Sequence, residues 1–151
     1  MASPRTQIRS QFPKLGDQST FNVTSPPDTK YNCIAWAACD DKDVWWPHAT
    51  YGRWPAEVPR AATVENFVKV FELLGYELCE SGILEEGWEK VALYATAGGE
   101  PKHMARQLED GSWTSKLGLL WDIKHKSVIG LEGARYGNVI RYLRKKIPAK
   151  K

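Results

Sequence analysis

The chain has 151 residues, 42% hydrophobic and 26% charged, the balance of one ordinary globular domain. That excludes a collagen-like, disordered or disulfide-packed protein. The formal net charge is +3, yet Arg141, Arg144, Lys145, Lys146, Lys150 and Lys151 crowd the C-terminal end with no acid among them, and without these six, 15 Lys and Arg face 18 Asp and Glu, a body of −3.

A basic end of this kind reads first as a solvated terminus, and nucleic-acid binding through it ranks last among the functions considered. No apolar run approaches the ~18 residues of a membrane span, and the opening MASPRTQIRSQF lacks the apolar stretch of a signal peptide. Cys33, Cys39 and Cys79 are odd in number and have no C-x-x-C spacing. They point to a reduced, cytoplasmic chain with one chemically active thiol at most, no metal site and no cofactor.

Residues 1–30 are rich in Pro, Ser, Thr, Asp and Gln and read as an irregular N-terminal segment closed by Pro26-Pro27-Asp28. Asn32 fits a helix N-cap before Cys33-Ile34-Ala35-Trp36-Ala37-Ala38-Cys39, and Asp40 to Asp43 stop that run. Over 44–62, Trp45, Trp46, Pro47, Tyr51, Trp54, Pro55 and Pro59 form a rigid aromatic loop, either a lid on the core or the wall of a groove. Thr63 caps a second helix, whose Val64, Phe67, Val68, Phe71 and Leu74 recur at helical spacing until Gly75.

From there the pattern is that of strands. Tyr76–Cys79 is short; Trp88–Thr96 sets Val91, Leu93 and Ala95 on one face and Ala92, Tyr94 and Thr96 on the other. His103–Leu108 and Ser112–Leu117 flank the turn Glu109-Asp110-Gly111. Ser127–Leu131 is a further strand, and Val139–Leu143 fits strand or helix. Helices followed by a meander predict an α+β class: N-terminal helices packed on a small antiparallel sheet, one domain over 31–143 and a basic tail over 144–151.

Cys33 falls in the first turn of the expected helix, where unpaired N–H groups favour a thiolate. A nucleophilic thiol needs a base brought to it by folding. Of His48, His103 and His125, His103 opens an alternating segment, sharing a face with Ala105 while Met104 and Arg106 share the other. A base there, facing the start of a packed helix, would complete a Cys–His pair. The tract Asp110–Gly118 lacks the spacing of a phosphate-binding loop, and Glu85, Glu86 and Glu89 read as a solvated acidic turn.

Asn32-Cys33-Ile34-Ala35-Trp36-Ala37, followed by VALYATAGGEPKHMARQLEDGSWTSKLG (Val91–Gly118), resembles the papain-like cysteine peptidase superfamily. The closer likeness is to its small bacterial NlpC-type amidases and endopeptidases and to transglutaminase-like domains, over about residues 30–120. The resemblance implies a papain-like core, Cys33 as nucleophile and His103 as general base. The residue that orients the imidazole in that superfamily is Asn, Asp, His or Gln on the next strand; here that strand offers Ser112, Thr114, Ser115 and Lys116, so Asp122 is the acidic candidate.

Asn32, Trp36, Trp46, Trp54 and Ser115 are expected to line the substrate site, and Gln18 is a further oxyanion candidate. The implied function is a cysteine hydrolase or acyltransferase acting on an amide, thioester or isopeptide bond of a peptide or small molecule. The alternative is an inactive papain-like binding domain that uses the Trp-rich loop. Hydrogen-bond reach between Cys33 and His103 favours the enzyme; a separation well beyond ~6 Å, or groups pointing apart, favours the binding domain.

Overall fold

A computed structural model describes residues 3–15, 21–48 and 52–148. Its helices are short: α1 (Pro4–Gln11), α2 (Cys33–Ala37) and α3 (Val64–Leu73), with 3-10 turns at Pro13–Leu15 and Val128–Leu131. The strands are β1 (Phe21–Ser25), β2 (Glu77–Cys79), β3 (Trp88–Ala95), β4 (Pro101–Gln107), β5 (Trp113–Lys116), β6 (Asp122–His125) and β7 (Asn138–Lys146). They form one seven-stranded antiparallel sheet in the order β1-β6-β5-β4-β3-β7-β2.

This corrects the expected fold class. The sheet is the body of the protein and the helices cover it, rather than helices forming a core with a small sheet attached. The missed strands explain the error. β1 reads Phe-Asn-Val-Thr-Ser at the sheet edge, a brief alternation with one buried residue in five, set inside a polar, Pro-bounded segment. β6 reads Asp-Ile-Lys-His, a polar string, although Asp122, Ile123 and His125 are all buried. Residues 1–30 are likewise not wholly irregular, since they contain α1 and β1. Ser127–Leu131 is not a strand but a 3-10 turn, and β7 runs on through Lys146, drawing the start of the expected tail into the sheet. Arg144 there lies over the Trp88 ring at 4.0 Å and donates to Glu85.

α3 forms as its spacing requires. The Thr63 hydroxyl accepts from the Asn66 N–H at the start. At the end, Gly75 adopts φ +98° while the Gly75 and Tyr76 N–H groups return to the Glu72 and Phe71 carbonyls. This closing motif brings the Phe71 and Tyr76 rings to 5.4 Å, an apolar contact that accompanies such caps.

The alternation along β3 divides the core in two. Val91, Leu93 and Ala95 join Met104, Leu143, α2, α3 and Trp45 and Trp54 on one face. Ala92 and Tyr94 join Ala105, Trp113, Ile123, Ile8, Phe12 and Leu131 on the other. The aromatic loop closes the first of these cores: Trp46 and Trp54 each meet Phe67 edge-on at 5.3 Å, and the Trp54 indole N–H is shared by the Val58 and Pro59 carbonyls. Tyr51 lies outside the described residues.

Where β7 begins, Gly137 (φ +73°) lies so close to β3 that a Cβ would collide with the Ala95 carbonyl oxygen. Gly87 also has positive φ, but open space surrounds it. Gly137→Ala is therefore expected to destabilise the protein by at least about 2 kcal/mol, and Gly87→Ala by about 1 kcal/mol, as read from urea denaturation midpoints. Equal effects would show that the close passage at Gly137 is not sterically demanding.

Candidate active site

α2 begins at Cys33 because the Asn32 side chain accepts from the Ala35 N–H at 3.2 Å. The same oxygen accepts from the Trp45 N–H, and the amide nitrogen donates to the Trp45 carbonyl. Asn32 thus joins α2 to the aromatic loop, and its side chain is committed to backbone partners. Trp36 donates its indole N–H to Thr114 Oγ1 at 2.9 Å, which fastens α2 to β5, and carries Arg106 over its ring at 5.2 Å.

Cys33 is 6% exposed. Backbone N–H groups of Met104, Ile34 and Cys33 itself hydrogen-bond its sulfur, and Lys116 contributes a favourable field; burial outweighs them and pushes the thiol up to about 11. The expected helix-start thiolate is therefore a protonated thiol at neutral pH. Five residues make too short a helix for a large dipole, and desolvation of the anion dominates.

The Met104 contact places the sulfur where β4 and β5 part. Their ladder contains Arg106↔Thr114 and Gln107↔Trp113, and the same register carried onward sets Met104 opposite Lys116. Those two are not paired, so the Met104 N–H is available to the sulfur.

Strand alternation turns His103 away from α2, onto the face of Tyr94, its register partner. The imidazole is fully buried, stacked on Tyr136 at 4.2 Å with an interplanar angle of 1°, and edge-on to Tyr94 at 5.1 Å. No hydrogen bond joins it to Cys33. The N–H of Met104, the residue after His103, favours the Cys33 thiolate, and Cys33 acts through its field on Tyr136, the ring stacked on His103.

A hydrogen-bond relay runs from His103 across the sheet. His103 Nε2 is 3.0 Å from Ser115 Oγ, Ser115 Oγ is 2.8 Å from His125 Nε2, and His125 Nδ1 is 2.9 Å from the Ser127 carbonyl oxygen. Burial lowers the affinity of both rings for protons, His103 well below the ordinary value and His125 to about 4, so both are neutral at pH 7. Only one arrangement of protons then fits. The Ser127 carbonyl can only accept, so His125 Nδ1 donates and its Nε2 is bare. That bare nitrogen accepts from the Ser115 hydroxyl, whose oxygen accepts from His103 Nε2–H. His103 Nδ1 is left as an unprotonated, buried nitrogen with no hydrogen-bond partner among the described residues.

The remaining expected site residues fall into three places. Asp122 bonds neither nitrogen of His103; it accepts from the Tyr31 hydroxyl at 2.6 Å on the face of Cys33 and Lys116. Ser115, expected at the substrate, occupies the position next to the imidazole instead, and His125 lies behind it. Trp46 and Trp54 pack on Phe67. Gln18 lies outside the described residues. His125 was passed over as a base because it lies in a charged Lys-His-Lys run; in the sheet it is buried between Trp113 of β5 and Phe21 of β1. No group of three or more metal-ligating side chains occurs among the described residues, and no helix among them is long and apolar enough to cross a membrane.

Neutral buried imidazoles give stability a defined pH response. Between pH 6.5 and about 4 the unfolded chain takes up a proton at residue 125 that the folded one refuses. Stability is thus expected to fall as pH drops through that window, by about 3 kcal/mol for His125, with His103 acting in the same direction. Urea titrations across the window, with His125 followed by NMR, check this; an ordinary His125 titration would contradict the relay.

Comparison with known proteins yields one family model, described as "Domain of unknown function (DUF7689)", which matches residues 22–144. No curated protein and no solved structure matches the chain.

Proposed function

The chain belongs to the DUF7689 family, and we propose that it is a cysteine hydrolase or acyltransferase acting on an amide, thioester or isopeptide bond, with Cys33 as nucleophile and His103 as base. One observation carries this reading: the relay through Ser115 and His125 leaves His103 Nδ1 as an unprotonated lone pair with no partner among the described residues, one position along β4 from Met104, whose N–H favours the Cys33 thiolate. A buried imidazole used for packing alone has little reason to leave a nitrogen unsatisfied, since that costs about 1–3 kcal/mol.

In this mechanism the Cys33 sulfur attacks the carbonyl carbon while its proton passes to His103 Nδ1. The carbon–nitrogen bond of an amide then breaks, the leaving amine takes the proton from Nδ1, and a thioester is left on Cys33. Water, or an acceptor amine in the transfer reaction, attacks the thioester as Nδ1 receives its proton, and that proton returns to the departing sulfur. Because both groups rest neutral, the proton moves during attack rather than from a standing ion pair. Ser115 and His125 keep the tautomer, the part that the orienting polar residue plays in related chemistry. The three free cysteines agree with a reducing, cytoplasmic setting, and the substrate class is a peptide or an amide-containing small molecule.

A peptidyl vinyl sulfone is expected to form its adduct on Cys33, located by mass spectrometry. His103→Gln should slow adduct formation and amide turnover by about a hundredfold or more, and Cys33→Ala should abolish both. Adducts on Cys39 or Cys79, or amide hydrolysis that survives Cys33→Ala, would overturn the assignment.

A further inference from the structure

β3 and β4 are paired from Val91↔Arg106 to Ala95↔Pro101, but β3 extends back to Trp88 with β7 alone as its partner. Before Val91 the two strands therefore part, and β4 leads away through Gln107 and Leu108 into its turn with β5. Two hollows of about 350 and 740 Å³ open at this end of the sheet, and they share Leu84, Trp88, Glu109 and Ile147 as walls. Together they form one cleft between the segment 84–88, the β4–β5 turn and the chain that follows β7.

The cleft joins apolar surface to unpaired acid. Leu84 and Ile147 are 46% and 41% exposed in its walls, beside Trp88. Four carboxylates line it, Glu85, Glu86, Glu89 and Glu109, against one cation, Arg106. Lys90 and Arg144 each hold Glu85 at 2.8 Å, and the Tyr76 hydroxyl and Cys39 thiol donate to Glu89. Glu86 and Glu109 have neither hydrogen bond nor ion pair among the described residues. Arg106 does not neutralise them, because it is turned to the Trp36 carbonyl and ring. A buried acceptor lies in the same place. Gln107, 5% exposed in the wall of the smaller hollow, donates from Nε2 to the Gly82 carbonyl at 2.7 Å, and its Oε1 has no hydrogen-bond partner among the described residues. An acceptor left in that state favours an N–H donor brought to the cleft.

We propose that this cleft binds a peptide segment in which Lys or Arg stands next to an apolar residue. The cationic side chains face Glu86 and Glu109, the apolar ones cover Leu84, Trp88 and Ile147, and an N–H of the segment meets Gln107. A contiguous apolar surface with a polar rim is the usual mark of an interaction site, and the sign of the rim selects the partner's charge. A simple amine would satisfy the carboxylates and leave the apolar walls in water, whereas one peptide chain supplies both kinds of contact. Binding here does not depend on how Cys33 reacts.

The test is fluorescence anisotropy of the full chain with a fluorescein-labelled hexapeptide of alternating Leu and Lys, set against the same peptide with Glu in place of Lys. The Lys peptide should bind about tenfold more tightly than the Glu peptide, or better. Glu86→Gln combined with Glu109→Gln should weaken it by about tenfold, and Leu84→Ser combined with Ile147→Ser by about the same factor. All four side chains are exposed, so these variants keep the fold. Asp41→Asn, on the acidic turn after α2, should leave the affinity unchanged. Equal weakening by Asp41→Asn would reveal attraction to charge at large and overturn the site, as would two double variants that bind like the parent, or no preference for the Lys peptide. Weakening by the carboxylate pair without weakening by the apolar pair would mark a site for simple amines and overturn the peptide assignment.

Discussion

The Ser115 hydroxyl can donate one hydrogen bond, and in this protein it lies between two buried imidazoles that both address it through Nε2. Its single proton cannot serve both rings, so one must give and the other receive. The Ser127 carbonyl, fixed by the backbone at the far end, decides which. The consequence travels from that carbonyl to His103 Nδ1 through ring tautomers alone, without any charged group in the chain of contacts. A carboxylate in place of Ser115 would have favoured a charged imidazole; a hydroxyl keeps the whole line neutral.

This neutrality is consistent with the surroundings. Tyr136 covers one face of His103 and Tyr94 meets it edge-on, so water is excluded and an imidazolium would be poorly solvated. On the opposite face of the sheet the polar groups are of another kind: an ammonium, a carboxylate and a phenol, Lys116, Asp122 and Tyr31, grouped around the start of α2. Two adjacent strands carry both sets, because successive residues point to opposite faces. His103 and Met104 on β4, and Ser115 and Lys116 on β5, each divide between the two environments, and the sulfur lies where those strands part.

Much of the local structure was legible from spacing. The caps at Asn32 and Thr63, the stop at Gly75, the two faces of β3 and the Glu109-Asp110-Gly111 turn each depend on residues within a few positions of one another. β1 and β6 were not legible. They are short and mostly polar, and what makes them strands is the partner each meets from far along the chain, Phe21 opposite His125 and Asn22 opposite Lys124. The same holds for the site. Cys33 and His103 stood out by residue type and by place in their segments, whereas Asp122 was expected beside the imidazole as the acidic candidate once the strand after His103 offered no orienting residue. Distance along the chain says nothing about which face a strand residue takes once the register is set by other strands.

The amino-acid sequence by itself determined where helices start and stop, which residues of a strand share a face, and which thiol and imidazole stand out, since all of these follow from backbone sterics and the periods of helix and strand. Tertiary structure alone decided that the sheet and not the helices forms the body, that Ser115 and His125 stand behind His103, and that the thiol rests protonated. Those outcomes depend on burial and on pairing between distant segments, and desolvation and register exist only once the chain has closed on itself.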